Sequence, residues 1–129
     1  MNRKKILLVD DSNTILMMEK FILKNGPYDI VTASNGEEAV AKATQQLPDL
    51  ILLDVIMPKM GGFDACKLIR GNATTSAIPI IMVTTRGEAA NVETGWANGC
   101  TDYVTKPINT MELLAKVRSY LGTADEVMQ

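Results

Sequence analysis

Five short apolar segments, separated by stretches with helical periodicity, constrain the fold of this chain more than any other feature. The first, third and fourth segments are unbroken apolar runs, as expected of parallel strands that are buried on both faces of a sheet. Parallel neighbours need long crossover connections, which are usually helices. The alternation therefore predicts an α/β fold with a five-stranded parallel sheet and helices on both faces. The predicted strands are residues 5–9, 29–33, 49–53, 79–83 and 101–104.

Capping residues mark where two of the five predicted helices begin. Asn35 is expected to cap the second helix, because asparagine accepts a hydrogen bond from the first turn. Asn109 is expected to start the fifth helix, with Glu112 three residues on in a variant of the capping box. The fourth helix is weakly patterned and contains Gly95. The other predicted ranges are residues 12–24, 36–46, 63–70 and 88–98.

The first helix is expected to carry one apolar face. Ile15, Met18 and Ile22 recur at helical spacing, which predicts that they lie on the same face of the helix, and the helix is expected to end near Gly26 and Pro27.

Length and composition exclude several classes of protein. A chain of 129 residues favours a single domain. The net charge is -2, and no lysine or arginine run follows the last hydrophobic segment, so the sequence gives no sign of a nucleic-acid-binding face. No apolar stretch approaches the ~20 residues of a membrane span, and the apolar stretch after the basic first residues is too short for a signal peptide. We therefore expect a cytoplasmic protein that binds neither nucleic acid nor membrane.

The nucleophile and metal chemistry open to this chain is limited by its residue types. The chain has no histidine, which excludes serine–histidine dyads, most zinc sites and phosphohistidine on this chain. Cys66 and Cys100 lie far apart in the sequence and are expected to be two buried thiols, with a redox pair as the alternative. Carboxylates, hydroxyls and amines must therefore carry the chemistry.

Reactive side chains follow four of the five predicted strands, and ligands of open parallel sheets bind beyond the carboxyl ends of the strands. Each residue alone has an ordinary explanation as a helix cap, a strand-end threonine or a surface lysine. Their occurrence together at one edge of the sheet predicts a functional site. The residues are Asp10 and Asp11 after the first strand, Asp54 after the third, Thr84 and Thr85 after the fourth, and Lys106 and Pro107 after the fifth.

Three carboxylates at one edge repel each other, so one must be protonated or a cation must lie among them. Lys106 supplies one positive charge, and a divalent ion would bring the local sum to zero. Oxygen ligands suit Mg²⁺. An ionised Asp54 beside Mg²⁺ is a carboxylate nucleophile, which fits phosphoryl transfer through an aspartyl phosphate.

Four motifs together resemble the receiver domain of bacterial two-component response regulators, the CheY-like family. They are ILLVDDS, DLILLDVIMPKMGGFD, IPIIMVTTRGE and DYVTKPI, and the resemblance covers residues 4 to about 121. It implies a flavodoxin-like (βα)5 fold with strand order 2-1-3-4-5. It also implies a receiver domain over residues 1–122 and a short tail over residues 123–129, without an output domain.

The resemblance implies a role for each acid and for the lysine. Asp54 would be the phosphoacceptor and also a Mg²⁺ ligand, Asp11 a direct Mg²⁺ ligand, and Asp10 a ligand through a metal-bound water. Lys106 would pair with the phosphoryl group, and Pro107 would follow a cis peptide bond.

The resemblance also implies switch residues and residues that tune water access. Thr84 would turn its hydroxyl toward the phosphoryl group, Thr85 occupies the small-residue position beside it, and Tyr103 would move inward with Thr84. The backbone carbonyl of Ile56 would complete the metal ligands. The side chains of Ile56 and Arg86 match positions that control how water reaches the phosphoryl group, and a bulky Ile56 is expected to lengthen the life of the acyl phosphate.

The implied protein is a stand-alone receiver that is not an enzyme beyond catalysing its own phosphorylation and dephosphorylation. A histidine kinase or phosphotransfer protein would donate the phosphoryl group. A downstream protein would bind the surface formed by the fourth helix, fifth strand and fifth helix, in chemotaxis, pilus-based motility or a phosphorelay. The stretch TTSAIPIIMVTT resembles receivers of chemosensory systems for twitching motility.

Three other interpretations compete with this one. A haloacid-dehalogenase-type phosphatase needs an aspartate two residues after the nucleophile, where this chain has Ile56. A flavin-binding flavodoxin-like protein needs a phosphate cradle after the first strand, where Asp10 and Asp11 would repel phosphate. A scaffold that binds partners without phosphorylation remains open, although the complete acid set argues against it.

Overall fold

Five strands and five helices alternate in the part of the chain that the structure, a computed structural model, describes, namely residues 3–85 and 89–122. The strands are β1 Lys4–Val9, β2 Tyr28–Ala33, β3 Leu50–Asp54, β4 Ile80–Thr85 and β5 Asp102–Lys106. The helices are α1 Asn13–Leu23, α2 Gly36–Gln46, α3 Gly62–Gly71, α4 Ala89–Ala97 and α5 Thr110–Leu121.

The strands form one parallel sheet in the order β2-β1-β3-β4-β5. This order confirms the predicted α/β class and the flavodoxin-like topology. The chain passes from β1 to β2 on one side and then returns to add β3 on the other side of β1. The strand order therefore reverses between β1 and β3, which is where ligands of such sheets bind beyond the carboxyl ends.

The sheet has an apolar core on each face, because successive side chains of a strand point to opposite faces. One core joins alternate residues of β1 and β3 to α2 and α3, and the other joins the remaining residues to α1 and α5. Leu50, Ile51, Leu52 and Leu53 are all fully buried, two in each core. The unbroken apolar run of β3 thus follows from a strand covered by helices on both sides.

Side-chain caps fix the starts of three helices. Asn35 accepts a hydrogen bond from the backbone N–H of Glu38 at 2.9 Å, and Asn109 accepts one from Glu112 at 2.9 Å. Both caps confirm the prediction. Ser12, expected to be the first residue of α1, instead caps it by accepting a hydrogen bond from the N–H of Ile15 at 3.3 Å.

The predicted apolar face of α1 is only partly confirmed, because Ile15 and Ile22 are half-buried and Ile22 packs against the core. Leu16, Glu19 and Leu23 are the buried residues of this helix, whereas Met18 is exposed. Apolar side chains surround most of α1, so their spacing alone does not fix which stripe faces the core. The true stripe contains a glutamate.

Two strand boundaries differ from the prediction in a way that bears on function. The fifth strand was predicted over residues 101–104, but β5 runs over Asp102–Lys106, and β3 includes Asp54. Lys106 and Asp54 are therefore the last residues of paired strands and do not lie in loops. Pairing with β4 fixes the backbone of both residues.

Some sequence predictions fall outside the described residues. Arg86 and the predicted tail over residues 123–129 belong to these, as do the side chains of Thr85 and of residues 89–92. Within the described ranges, no helix has the length and apolar character needed to cross a membrane.

Candidate functional site

A cavity of about 160 Å³ opens at the carboxyl edge of the sheet, above β1, β3 and β4. It lies where the strand order reverses. It brings together the three predicted acids, the lysine and Thr84, which come from four separate strands. Its lining is formed by Asp10, Asp11, Ser12, Asp54, Val55, Ile56, Val83, Thr84 and Lys106.

The backbone after β1 holds Asp10 inside the cavity. Its N–H donates to the carbonyl of Ala33 at 3.1 Å, which extends the strand pairing by one residue. Its Oδ1 accepts a hydrogen bond from the N–H of Ser12 at 2.9 Å, so the turn into α1 fixes the carboxylate. Asp10 is only 1% exposed, whereas Asp11 beside it faces solvent.

The start of α3 approaches the end of β3 closely enough to require glycine. A Cβ on Gly62 would overlap the backbone carbonyl of Asp54, and the N–H of Gly62 donates to the carbonyl of Val55 at 2.8 Å. Residue 62 therefore cannot carry a side chain unless the chain that follows Asp54 shifts. This contact fixes the loop that carries Ile56.

Asp10, Asp11 and Asp54 form an acidic cluster. One carboxylate oxygen from each lies within 4.8 Å of those of the other two. Asp54 is 5% exposed and Asp10 is nearly fully buried, so both charges are largely removed from water. Burying charged carboxylates this close together is costly unless a cation lies among them.

Lys106 supplies one positive charge to the cluster. Its Nζ donates to Oδ1 of Asp54 at 3.1 Å and lies 3.3 Å from Oδ2 of Asp10. Burial alone would lower the pKa of Lys106. Hydrogen bonding to Asp54 and the negative charges of Asp54 and Asp10 outweigh burial, so the pKa of Lys106 is raised overall. The amine therefore stays protonated at physiological pH.

One lysine does not compensate for the acids. Burial, followed by the charge of Asp10, raises the pKa of Asp54 even though Lys106 and the N–H of Val55 act in the opposite direction. Oδ2 of Asp10 is fully buried and makes no hydrogen bond to any described residue, although Lys106 is near. A buried carboxylate oxygen that forms an ion pair but no well-directed hydrogen bond, in a cavity of oxygen ligands, fits a hard divalent cation such as Mg²⁺.

The two predicted switch residues lie on one face of the sheet. Thr84 is buried and lines the cavity. In the register of β4 and β5, Met82 pairs with Tyr103, and Thr84 pairs with Thr105. Since side chains two apart on a strand share a face, Thr84 and Tyr103 lie diagonally across the same face.

The structure places the remaining predicted residues around the cavity. The side chain of Ile56 is 69% exposed at the mouth of the cavity. The peptide bond between Lys106 and Pro107 is cis. Thr85 ends β4, next to Thr84.

Glu19 is a buried acid that was not predicted from the sequence. It is 1% exposed, and its Oε1 makes no hydrogen bond to any residue in the described ranges. Burial, then the charge of Asp10, raises the pKa of Glu19 to about 8, although Lys106 lowers it and Asp54 contributes less. The signal that could have found it is the spacing of Leu16, Glu19 and Leu23, which places the glutamate in one stripe with two leucines.

Comparison with known proteins agrees with this geometry. Residues 6–118 match the family model described as the response regulator receiver domain. The chain is 42% identical over 122 residues to the alkaline phosphatase synthesis transcriptional regulatory protein PhoP of Bacillus subtilis, covering 95% of this chain and 50% of PhoP. It is 38% identical over 118 residues to protein PilH of Pseudomonas aeruginosa, covering 92% of this chain and 98% of PilH.

Solved structures show the same fold. The chemotaxis protein CheY4 of Vibrio cholerae superposes with a TM-score of 0.85 at 37% identity, covering 92% of this chain and 99% of that chain. The receiver domain of the sensor histidine kinase PA1611 of Pseudomonas aeruginosa superposes with a TM-score of 0.86 at 28% identity, covering 94% and 99%. The latter structure is described with a magnesium ion coordinated in its active-site cleft.

The lengths of these proteins differ. This chain spans about half the length of PhoP and of other transcriptional regulators that it matches, and nearly the whole of PilH and CheY4.

Proposed function

We propose that this chain, which belongs to the response regulator receiver domain family, accepts a phosphoryl group on Asp54 with Mg²⁺ and thereby switches a protein-binding surface. Receiver domains are phosphoacceptor signalling domains that take phosphate from histidine kinases and act on downstream targets. The single observation that carries the proposal is the cluster of Asp10, Asp11 and Asp54, with the ammonium of Lys106 3.1 Å from Asp54.

The proposed reaction is a displacement at phosphorus. An oxygen of the Asp54 carboxylate bonds to the phosphorus of a phosphohistidine on the donor, and the phosphorus–nitrogen bond breaks. The imidazole nitrogen keeps the bonding electron pair and takes up a proton. The product is an acyl phosphate on Asp54, so this step needs no histidine on the present chain.

Different residues of the cavity would bind the metal ion and compensate for the charge of the phosphoryl group. Asp10, Asp11, Asp54 and the backbone carbonyl of Ile56 would hold Mg²⁺, which when bound would neutralise charge on the phosphoryl oxygens. The ammonium of Lys106 keeps its proton and compensates for the charge on Asp54 and then on the phosphoryl group. The cis bond before Pro107 lies directly after this lysine, at the end of β5.

The signal would travel through Thr84 and Tyr103. In the proposed switch, the hydroxyl of Thr84 turns toward the phosphoryl group and the ring of Tyr103 follows into the vacated space. The two side chains share a face of the sheet, which supports this path. The output would be the binding of a partner protein to the surface formed by α4, β5 and α5, where Trp96 is 48% exposed.

Chemotaxis-type or motility signalling is the role that we propose for this switch. The support comes from the similarity to CheY4, which is described as a chemotaxis protein, and to PilH. Both resemble this chain over almost their entire length.

Binding of beryllofluoride, a mimic of the phosphoryl group, tests the proposal. We expect calorimetry to show binding to the wild-type chain when Mg²⁺ is present and none when it is absent. Asp54→Asn should abolish this binding. Asp64→Asn, which changes an exposed acid in the first turn of α3, is the matched control and should bind as the wild type does. Equal binding by the Asp54→Asn variant would refute the proposal.

A further inference from the structure

At Tyr103, the backbone groups on the outer edge of β5 form hydrogen bonds with side chains. Among the described residues β5 pairs only with β4, so no strand from these residues lies along its other edge. The carboxylate of Asp102 accepts a hydrogen bond from the N–H of Tyr103 at 2.8 Å. Nζ of Lys116, which comes from α5, donates to the carbonyl of Tyr103 at 2.7 Å. Both backbone polar groups of Tyr103 therefore have side-chain partners.

The ammonium of Lys116 also contacts the ring of Tyr103. Its Nζ lies 5.0 Å from the centre of the ring, within the range of a cation–π interaction. The same nitrogen is 2.7 Å from Oδ1 of Asp102, and the hydroxyl of Tyr120 donates to Oδ2 of Asp102 at 3.1 Å. Lys116 thus reaches from α5 around the edge of β5 to the face that carries the ring.

A second element contacts the other side of this arrangement. The ring of Trp96 in α4 lies edge-on to the ring of Tyr103, with centroids 6.2 Å apart and planes at 86°. Tyr103 is therefore held by α4 and α5 together. We call the side chains of Trp96, Asp102 and Lys116 the Tyr103 clasp.

The contacts of the clasp fall into two groups that respond differently to movement of the ring. The ion pair with Asp102 and the bond to the carbonyl of Tyr103 involve the backbone and the neighbouring side chain, so they persist when the ring rotates about its own side-chain bonds. The contacts of the ring with Lys116 and Trp96 depend on where the ring lies. Moving the ring toward Thr84 breaks them.

We propose that Lys116 is a positioning residue that holds the ring of Tyr103 in the clasp and so sets how readily the phosphorylated conformation is reached. This inference rests on the proposed function, in which Tyr103 moves when Asp54 is phosphorylated. Lys116 opposes that movement because its ammonium interacts with the ring only in the position seen here. The Asp102 carboxylate fixes the ammonium, so the lysine does not follow the ring.

The affinity for beryllofluoride in saturating Mg²⁺ measures how strongly Lys116 opposes the movement of the Tyr103 ring. Lys116→Met keeps the apolar stem but removes the charge, and it should bind beryllofluoride about two- to five-fold more tightly than the wild type, as expected from losing one partly exposed cation–π contact. Lys116→Arg, which retains a cation over the ring, should stay near the wild-type affinity. Lys67→Met, on the exposed side of α3, is the control and should change nothing.

A double-mutant cycle with Tyr103→Leu separates positioning from stability. Without the ring, Lys116→Met should no longer change the affinity for beryllofluoride. A purely structural lysine would instead lower the melting temperature without tightening ligand binding in either background. Should the methionine variant not fold, Lys116→Gln keeps an N–H donor for the carbonyl of Tyr103 and should give the same shift.

The outcomes distinguish the two proposals. A wild-type chain that binds no beryllofluoride overturns the proposed function, and this inference with it. A wild type that binds, together with a Lys116→Met variant of equal or weaker affinity, overturns only the role of Lys116. An affinity gain that persists in the Tyr103→Leu background overturns it as well, because the effect would not pass through the ring.

Discussion

Two buried carboxyl groups, Asp54 and Glu19, have different surroundings, and these surroundings determine whether each group is ionised. Asp54 borders a cavity with Lys106 at 3.1 Å and two further acids, so a bound cation would keep it ionised, as the proposed nucleophilic attack requires. Glu19 lies in the helix–sheet interface, and its Oε1 has no hydrogen-bond partner among the described residues. With a pKa of about 8, Glu19 is mostly protonated at neutral pH.

The raised pKa of Glu19 predicts that this residue destabilises the fold as the pH rises. Below 4.5, the ordinary pKa of a glutamate in an unfolded chain, the carboxyl is protonated in both states and has no effect. Between 4.5 and about 8, the unfolded chain releases a proton that the folded chain retains, so the unfolded state gains stability. Above about 8 both states are ionised and the effect levels off.

Glu19→Gln should therefore have a higher free energy of unfolding than the wild type near pH 8. This advantage over the wild type should be larger at pH 8 than at pH 5, by on the order of 3 kcal/mol. Urea unfolding at the two pH values measures this change. Glu93→Gln, at an exposed position in α4, is the control and should leave the pH dependence as it is. A constant difference between Glu19→Gln and wild type at both pH values would contradict the assignment.

Ile56 is expected to control the lifetime of the acyl phosphate. Its exposed apolar side chain lines the cavity, so it is placed to limit the access of water to an acyl phosphate on Asp54. Ile56→Asn offers a hydrogen-bonding group that can orient this water, so the phosphorylated chain should lose phosphate several-fold faster. The rate of phosphate release after removal of the donor checks this, with the exposed Leu68→Asn in α3 as control. An unchanged rate would count against shielding by Ile56.

At the scale of elements, the site exists because four strands end at one edge with polar residues. The sequence predicted this, because each acid or lysine follows an apolar strand segment and parallel strands share their carboxyl edge. The pairing to β4 carries β5 as far as Lys106, two residues beyond the predicted end. Local propensity does not record such pairing, so sequence alone left this residue beyond the strand.

The face of α1 was less predictable for a physical reason. Ile15, Leu16, Met17 and Met18 are consecutive apolar residues, so several stripes fit the helical period equally well. Packing against the leucines of β1 and β3 selects Leu16 and Leu23. A glutamate between them is unexpected from composition, because charged residues of surface helices usually face water.

Asn35 should stabilise the start of α2 measurably. Its side chain is the acceptor for the N–H of Glu38, and alanine leaves that donor without this partner. Asn35→Ala should lower the free energy of unfolding by about 1 kcal/mol. Chemical denaturation measures the loss, with Asn25→Ala at an exposed position after α1 as the control. A loss no larger than that of the control would show that the cap contributes nothing.

At the scale of the whole molecule, the proposed switch joins a cavity above β1 and β3 to a surface formed by α4, β5 and α5. In this proposal the cavity would bind the cation and the phosphoryl group, and the surface would bind the partner protein. Thr84 and Tyr103 would connect the two, and their position on one face of neighbouring strands supports this role. Coupling between two sites requires such a two-state element.

Thr84→Ala should separate ligand binding from the response of the surface. The variant keeps all three acids and Lys106, so its affinity for Mg²⁺ should stay close to that of the wild type. Beryllofluoride should no longer change the fluorescence of Trp96, the only tryptophan of the chain. A full fluorescence change in Thr84→Ala would show that the signal takes another path.

Intact-mass and fragment mass spectrometry after incubation with acetyl phosphate test the central claim most directly. With Mg²⁺, the account predicts one added phosphoryl group located on Asp54, and no addition when Mg²⁺ is chelated or in Asp54→Asn. A phosphoryl group on another residue, or equal labelling without Mg²⁺, would contradict it.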